Sequence, residues 1–412
     1  MYRNKHLVVA AIVIGFLLVA SAPSEAVSEA AAPCLAINPS VRAAGMGRVG
    51  TAVFWGGDPN YWANPALLGY HHGLRYDWGR TQLIPSLADD VYLKTSRFTV
   101  GAFGATLHLA GRPLDIGKTR LEYGIWQAMG ESGEPGDFFS SWEEAKSWGI
   151  GVSVGELVDS MLRLLGADGP HISRFGDLSL GYASHKVHVV LAKPTAWTCE
   201  GAKAVGDAKD WGFLARVTPY NSIDFDGLLP PLDGFLDPLG GLRLDAGYGQ
   251  GRKGYNDAEI AFIDVEQTAP LPNEKLEGWA LRGAIGFPPG IRAVLDDMGL
   301  GWAARFFSPL VSYGRTWDWK ESQLSDESTV KTTGWEVTLA NVITLRRGIY
   351  RDPDGDICGT TSGWGLGMSY GRVAGFRYDR ASVPNARGLD GNEREGFNLF
   401  VDPVALLRVL QE

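Results

Sequence analysis

The chain has 412 residues, with 47 acidic residues against 38 lysines and arginines, and a formal net charge of −9. This balance, without any basic cluster, excludes the phosphate-neutralising surface on which nucleic-acid binding depends, so nucleic acid is not an expected partner. The mean hydropathy of −0.06 is too low for a membrane protein built from helices, whereas 54 glycines and 14 tryptophans favour a chain of alternating β-strands.

Residues 1–26 have the pattern of a secretory signal peptide. Arg3 and Lys5 precede an apolar run at residues 7–20, and small residues follow, with residues 24–26 as a cleavage site. The alternative, a single membrane-anchoring helix, is disfavoured because the apolar run is shorter than the roughly 20 residues that span a bilayer. The sequence therefore predicts an exported protein.

The three cysteines leave alternatives open. Cys34 follows the signal peptide closely, as a lipidated cysteine would, but Pro33 precedes it and leucine is absent three residues before it. Cys199 and Cys358 fall in two different loop-like segments, where an oxidising compartment would let them form a disulfide. The alternative is that all three are independent small residues.

From Leu74 onward the sequence alternates with a period of two, which predicts β-strands. Leu178 and Leu180 share one face of such a strand, for example, while Ser179 and Gly181 share the other. The pattern of a large apolar face against a small or polar face repeats along the chain. It predicts roughly 12 to 14 strands of about ten residues, each long enough for a tilted membrane crossing.

The second face of these strands favours a transmembrane barrel over a soluble, exported β-sandwich that binds a ligand. A sandwich usually carries long charged side chains on its wet face, whereas here that face is mostly Gly, Ser, Thr and Ala. A barrel that meets lipid with its large residues needs this arrangement, often with aromatic girdles. Seven tryptophans at or near the ends of the runs fit a girdle, although core tryptophans of a sandwich are the alternative: Trp148, Trp211, Trp279, Trp317, Trp319, Trp335 and Trp364.

Several charged residues have the parity of the small face. These are Arg243, Asp245, Arg282 and Glu336. Because ionised groups away from water require pairing, they predict a salt-bridged polar interior, although the sequence does not identify the pairs.

One connection between strands differs from the others. Residues 156–165 carry apolar side chains at helical spacing, which predicts a short amphipathic helix. If the N-terminus of the barrel lies in the periplasm, alternating crossings place this helix on the periplasmic side. The same count places both Cys199 and Cys358 outside.

The chain contains no familiar catalytic motif, so we expect a protein that is not an enzyme and needs no cofactor. A barrel lipase or acyltransferase, the enzymatic alternative, would need a Ser/His/Asp cluster at one rim. His71 and His72 are adjacent and point to opposite faces of a strand, so they are not expected to bind one metal ion. Residues 352–356 superficially resemble a calcium loop but lack its closing glutamate, and they fit a surface turn better.

Two stretches near the N-terminus resemble the hatch of the FadL and PorV superfamily of outer-membrane barrels. They are VRAAGMGRVGTAV at residues 41–53 and DPNYWANPALL at residues 58–68. Gly45, Met46 and Gly47 match the family's GMGGA stretch, in which Arg48 replaces a small residue. A second match is complete, since Asn64, Pro65 and Ala66 form the family's Asn-Pro-Ala motif. The resemblance covers about thirty residues.

The resemblance implies an all-β fold: a transmembrane antiparallel barrel of about 14 strands, with residues 27–70 as a helical hatch inside residues 71–401. Glycines 45 and 47 would allow close backbone approach, and Asn64 would bond neighbouring backbone. It also implies residence in the outer membrane of a Gram-negative-type bacterium, among its lipids, with transport of hydrophobic small molecules. The alternative is a PorV-like accessory role in type IX protein secretion, with secretion-system proteins as partners.

The short loops are closer to the PorV/PorQ-like members. One feature departs from barrels in general, which commonly end in an aromatic residue, whereas this chain ends Leu410-Gln411-Glu412. The last strand is therefore expected to stop earlier, near Tyr378 or at residues 397–401, and residues 402–412 are expected to form a C-terminal tail.

Overall fold

The computed structural model describes most of the chain after residue 30. The described ranges are 31–56, 60–85, 87–111, 117–129, 133–166, 172–191, 203–223, 240–263, 267–322, 329–352, 357–371, 373–385 and 389–411. The predicted signal peptide, Cys199 and residues 58–59 lie outside the described residues.

Strands dominate the described chain. In order they are β1 (Gly73–Gln82), β2 (Val91–Ala102), β3 (Ala105–Ala110), β4 (Lys118–Met129), β5 (Pro135–Ser153), β6 (Gly176–Val190), β7 (Lys203–Asn221), β8 (Leu242–Lys253), β9 (Glu259–Phe262), β10 (Thr268–Pro270), β11 (Glu274–Ile285), β12 (Val311–Ser322), β13 (Thr329–Leu339), β14 (Ile343–Asp352), β15 (Ile357–Tyr370), β16 (Ala374–Val383) and β17 (Asn392–Val401).

The helices are short. They are α1 (Pro33–Ala36), α2 (Val41–Gly45), α3 (Val154–Leu164), α4 (Pro289–Asp297), α5 (Gly301–Phe306) and α6 (Pro403–Gln411), with 3₁₀ turns at Pro65–Tyr70 and Ile172–Arg174. Among the helices in the described part of the chain, none has the length and apolar character needed to cross a bilayer.

The strands form one closed antiparallel barrel. β1 pairs with β2 on one side and with β17 on the other, so the sheet has no free edge. Three positions in the wall are each shared by two collinear segments: β3 with β4, β8 with β9, and β10 with β11. The 17 segments therefore occupy 14 positions. This confirms the predicted antiparallel barrel of about 14 strands.

The two ends of the barrel differ. We call the end at which β1 begins and β17 ends the proximal end, and the opposite end distal. The proximal end carries the tight turns at residues 103–104 and 340–341 and the helices α3 to α6. The predicted helix at residues 156–165 is thus found as α3, at the proximal end, while Cys358 lies at the distal end of β15.

The large apolar face of the strands points outward. On β6, Leu180 is 51% exposed, whereas Ser179, which lies between Leu178 and Leu180, is fully buried. The same alternation repeats around the wall, with exposed residues such as Val100, Ile150, Trp279, Leu345 and Leu366. Since a stacked pair of sheets would have enclosed this face, the sandwich alternative does not hold, and the outer surface is suited to lipid.

The outward aromatic residues form a belt on the outer face. Ring contacts follow it from strand to strand, at 5.5 Å between the centroids of Trp148 and Tyr182 and 4.6 Å between those of Tyr248 and Trp279. Two residues further toward the distal end, the next outward position is charged, as at Lys146, Lys209, Glu277 and Arg380. The belt therefore marks the distal margin of the apolar band. Trp279 lies in the middle of β11 rather than at its end, because the strands continue past this margin.

Candidate functional site in the barrel lumen

Residues 31–56 and 60–70, here called the lumenal segment, are almost entirely buried. The backbone N–H of Ala31 donates to Pro270 near the distal end, at 2.8 Å. The segment then contacts inward-facing residues on strands around the whole wall and leads into β1 at the proximal end. It therefore crosses the interior of the barrel from one end to the other.

Glycines on the inner face of the wall let the lumenal segment pack directly against the strands. A Cβ atom added to Gly334 would lie 2.1 Å from the carbonyl oxygen of Met46, and one added to Gly348 would lie 2.2 Å from the carbonyl carbon of the same residue. Cβ atoms added to Gly249 and Gly251 would lie about equally close to the backbone of other residues of the lumenal segment. Sequence reasoning missed these wall glycines, although their signal was the small face of the strands.

The predicted triplet Gly45, Met46 and Gly47 lies at this contact. A Cβ on Gly45 would be 3.1 Å from the Cα of Gly363, and Gly47 has a φ of +85°, which favours glycine. The hydroxyl of Thr361 donates to the carbonyl of Gly45 at 3.0 Å. The triplet thus ends α2 while touching three neighbouring strands, β13 to β15.

The predicted triplet Asn64, Pro65 and Ala66 lies on the other side of the lumen. The Asn64 side chain donates to the carbonyls of Thr51 at 2.9 Å and Phe213 at 3.0 Å, and accepts from the N–H of Ala66 at 3.0 Å. It therefore caps the 3₁₀ turn that Pro65 begins and joins two parts of the segment to β7. The structure does not bring the two triplets together; they hold opposite parts of the lumenal segment.

A buried ionic chain holds α2 to the wall. Arg42 donates to both carboxylate oxygens of Glu336, at 2.9 and 2.7 Å. Arg346 bridges Glu336 to Asp379 with two bonds of 2.7 Å, and Arg377 donates to Asp379 at 3.0 Å. Glu336 was expected to face inward in an ion pair, but its partner Arg42 was not predicted, since 294 residues separate the two.

Asp318 on β12 receives the next part of the segment. One of its carboxylate oxygens accepts from the backbone N–H groups of Gly50 and Thr51, both at 2.8 Å, and from the Thr51 hydroxyl at 2.7 Å. Because these donors lie in a dry interior, each would be costly to leave unpaired. The wall of β12 to β16 thus holds residues 42–51 by hydrogen bonds to charged groups as well as by the close backbone packing at its glycines.

The distal part of the lumen is packed with apolar residues. Cys34, Leu35 and Trp62 of the lumenal segment form one cluster with inward residues such as Leu93 and Val187. Burial raises the pKa of the Cys34 thiol well above its usual value, so this cysteine stays protonated at neutral pH. The distal part of the lumen is thus occupied by apolar packing, and the ionic chain lies at the level of α2.

Below the lumenal segment, toward the proximal end, lies a cavity of about 300 Å³. It is lined by residues of the segment and of the wall: Val53, Phe54, Trp55, Gly56, Leu67, Tyr70, His71, His72, Arg75, Glu156, Arg216, Arg243, Arg282, Asn341, Gly367, Met368, Ser369, Gly371, Phe376, Arg377, Asn398 and Phe400.

The lining combines aromatic rings with arginines. The guanidinium carbon of Arg216 lies 4.6 Å from the ring centroid of Tyr70 and 5.6 Å from that of Phe54. Arg282 is 5.8 Å from the ring of Trp55. Arg243 and Arg282, both predicted to face inward, pair with Asp245. Such a surface suits a ligand that has both a flat apolar part and a polar or anionic group.

Several buried donor atoms of the lining residues have no hydrogen-bond partner among the described residues. They include Nη2 of Arg377 and Nε2 of His71. Burial, with a smaller effect of the Arg75 charge, holds the pKa of His71 well below its usual value. Its Nδ1 faces Arg75 at 3.1 Å as an acceptor, so the proton of the neutral ring lies on Nε2. Both atoms are closed to solvent, so they do not face the open space of the cavity.

The remaining predicted residues are not joined into a site. Cys358 is exposed, and because Cys199 lies outside the described residues, their disulfide stays a prediction. Across the described ranges, no group of three or more His, Cys, Asp or Glu residues is arranged to hold a metal ion. His185 pairs with Asp210 at 2.9 Å, and its Nδ1 has no hydrogen-bond partner among the residues described.

No protein-family model and no curated protein matches the chain. Among solved structures, the chain is similar to a FadL homologue of Pseudomonas aeruginosa, with 10% identity, a TM-score of 0.37, and coverage of 88% of this chain and 98% of that one. It is also similar to the toluene transporter TbuX of Ralstonia pickettii (10% identity, TM-score 0.38, 89% and 98% covered). CdiB from Acinetobacter baumannii matches at 7% identity, with a TM-score of 0.37 and 80% and 60% covered.

TM-scores below 0.5 indicate a loose overlap of barrels, so the role of this chain is inferred below from its own residues. The solved structures include FadL-type barrels, the group that the N-terminal motif resembles; the PorV-like subtype is not confirmed. The chain is a closed transmembrane barrel of 14 antiparallel strands.

Proposed function

We propose that the protein carries hydrophobic small molecules across the outer membrane of a Gram-negative-type bacterium, and that the lumenal segment is the hatch of this channel. The cavity between the lumenal segment and the proximal end is the observation that carries the proposal. Its volume of about 300 Å³ suits a small molecule rather than a folded protein.

The lining of the cavity favours a small ligand that combines an apolar body with a polar or anionic group. Phe54, Trp55 and Phe400 supply aromatic surface, while arginines such as Arg216 and Arg243 add charge to the lining. An open, water-filled pore for ions or sugars would instead need a continuous polar lumen, and here the distal half is occupied by apolar packing around Leu35. Passage therefore requires a movement of the lumenal segment.

Uptake by cells tests this proposal. Ser369 lines the cavity from β15, so Ser369→Trp is expected to fill it with an aromatic side chain. Ser362→Trp is the matched control, because Ser362 is an exposed outward residue on the same strand. The rate of uptake of labelled toluene at low concentration is measured in cells that express each barrel in the outer membrane.

We expect the natural protein and Ser362→Trp to raise uptake severalfold over cells without the protein, and Ser369→Trp to abolish the gain. Equal uptake with and without the protein, for toluene and for a long-chain alkanoate, would contradict the proposal.

A second candidate is the PorV-like accessory role in secretion. It is favoured by the exposed apolar side chains of Ile125, Trp126 and Phe138 on the β4–β5 hairpin at the distal end. Such a tip fits a docking partner, and a docking barrel would give no uptake above the control in the same assay.

A further inference from the structure

Helix α3 has its polar side turned toward the protein and its apolar side turned away. Glu156 and Asp159 are buried, and Asp159 accepts from the hydroxyl of Ser173 at 2.5 Å. Met161 and Leu164 are exposed, Leu164 by 76%. A surface helix of a water-soluble protein shows the opposite arrangement. This arrangement suits an apolar medium outside α3.

The other proximal helices share this character. Their exposed large apolar residues include Ile291, Val294 and Met298 at α4, Trp302 and Phe307 at α5, and Val404, Leu406 and Leu407 on α6. On α4, Ile291, Val294 and Met298 follow at helical spacing and so share one side.

Helix α5 lies against the outer side of the wall. The ring centroids of Phe306 and Tyr370 are 5.0 Å apart, and Nη1 of Arg305 donates to the Tyr370 hydroxyl at 3.1 Å. Tyr370 continues the outward row of Leu366 and Met368 on β15. The exposed apolar residues of α5 are thus continuous with the lipid-facing surface of the strands.

The strands alone provide a short apolar band. On β1 the outward residues run from Leu74 at the proximal end to Trp78, and the next is Arg80. Four residues of a tilted strand rise only about 10 Å along the barrel axis, whereas the apolar band of such barrels is about 25 Å tall. Other strands give spans of four to six residues, as from Leu178 to Tyr182 on β6 and from Trp279 to Ile285 on β11, which is still well short of 25 Å. The missing height lies on the proximal side, because the distal margin carries the charged row.

We propose that helices α3 to α6 form an interfacial collar whose apolar sides are embedded in the proximal leaflet of the membrane. A helix lying flat is about 10 Å across, which supplies the missing height. The collar has members after β5, after β11 and after β17, at separate positions around the barrel. This distribution fits a lipid surface, since a protein partner would need one contiguous patch.

Fluorescence quenching in vesicles tests the collar. Single cysteines are placed at Leu164 on α3 and Leu407 on α6, in a background in which Cys34, Cys199 and Cys358 are replaced by alanine. Each is labelled with an environment-sensitive dye and reconstituted in phosphatidylcholine vesicles. Leu87 is the matched control site, because it is an equally exposed leucine at the distal end. Heat-dependent migration on gels verifies that every variant is folded.

Spin-labelled lipid is expected to quench the dyes at Leu164 and Leu407 severalfold more than the dye at Leu87, with iodide showing the reverse order. Strong iodide quenching at the helix sites, equal to that at Leu87, would show that these helices face water and would overturn the proposal. Either result is independent of whether the barrel transports toluene.

Discussion

Filling the inner-face glycines is expected to expel the lumenal segment while leaving the barrel intact. In Gly334→Val/Gly348→Val, the new side chains meet the backbone of Met46 at distances that no side-chain rotation relieves. Valine is itself favourable in strands, so the wall should still assemble. We expect trypsin to cleave after Arg48 rapidly in this variant and slowly in the natural protein, and the ionic conductance of planar bilayers to rise.

The matched control is Gly283→Val on β11, where the nearest atom to an added Cβ is the Leu244 side chain at 3.8 Å. This variant should keep both the protection of Arg48 and the low conductance. Unchanged protection in the double variant would mean that the wall glycines are not what seats the segment.

Removing the charge of Glu336 is expected to have the second largest effect, a decrease in the free energy of unfolding. In Glu336→Gln, Arg346 keeps Asp379, but Arg42 loses its carboxylate while it remains 2% exposed. Breaking a buried ion pair from one side typically costs about 3–5 kcal/mol. We expect a loss of this size in the free energy of unfolding by urea in vesicles, and faster cleavage at Arg42.

Glu393→Gln breaks an ion pair of similar length, 2.6 Å to Arg380, in which both side chains are about half exposed. An exposed pair contributes less than about 1 kcal/mol, so this control should be close to the natural protein. Should the two variants lose the same stability, Glu336 would not anchor the lumenal segment.

The barrel could be predicted from the sequence because its determinants are local. Leu178, Ser179 and Leu180 already define an outer and an inner face, and the same alternation recurs in every long strand. The division of one wall position between two strand segments was not predicted. An example is β3 and β4, which pair one after the other with β2. The aromatic belt was expected at the ends of the strands, because no local feature of the sequence shows how far the strands extend beyond the membrane.

The interior could be predicted only in part. Asn64 was expected to bond neighbouring backbone, and it does so, but its acceptor on Phe213 is 149 residues away. Glu336 was assigned to the inner face by parity alone, whereas Arg42 belongs to a segment without periodicity. Contacts between a non-repeating segment and a regular wall depend on the three-dimensional register, which alternation does not encode.

A reversible cross-link tests most directly whether the lumenal segment is a moving hatch. Ala44 of α2 and Ala381 of β16 belong to one buried cluster, so the pair Ala44→Cys/Ala381→Cys is introduced in the alanine background described above, and disulfide formation is verified by the loss of free thiol. We predict that the oxidised barrel no longer takes up toluene, that reductant restores uptake, and that each single cysteine has no effect. A disulfide that forms and leaves uptake unchanged would contradict the hatch.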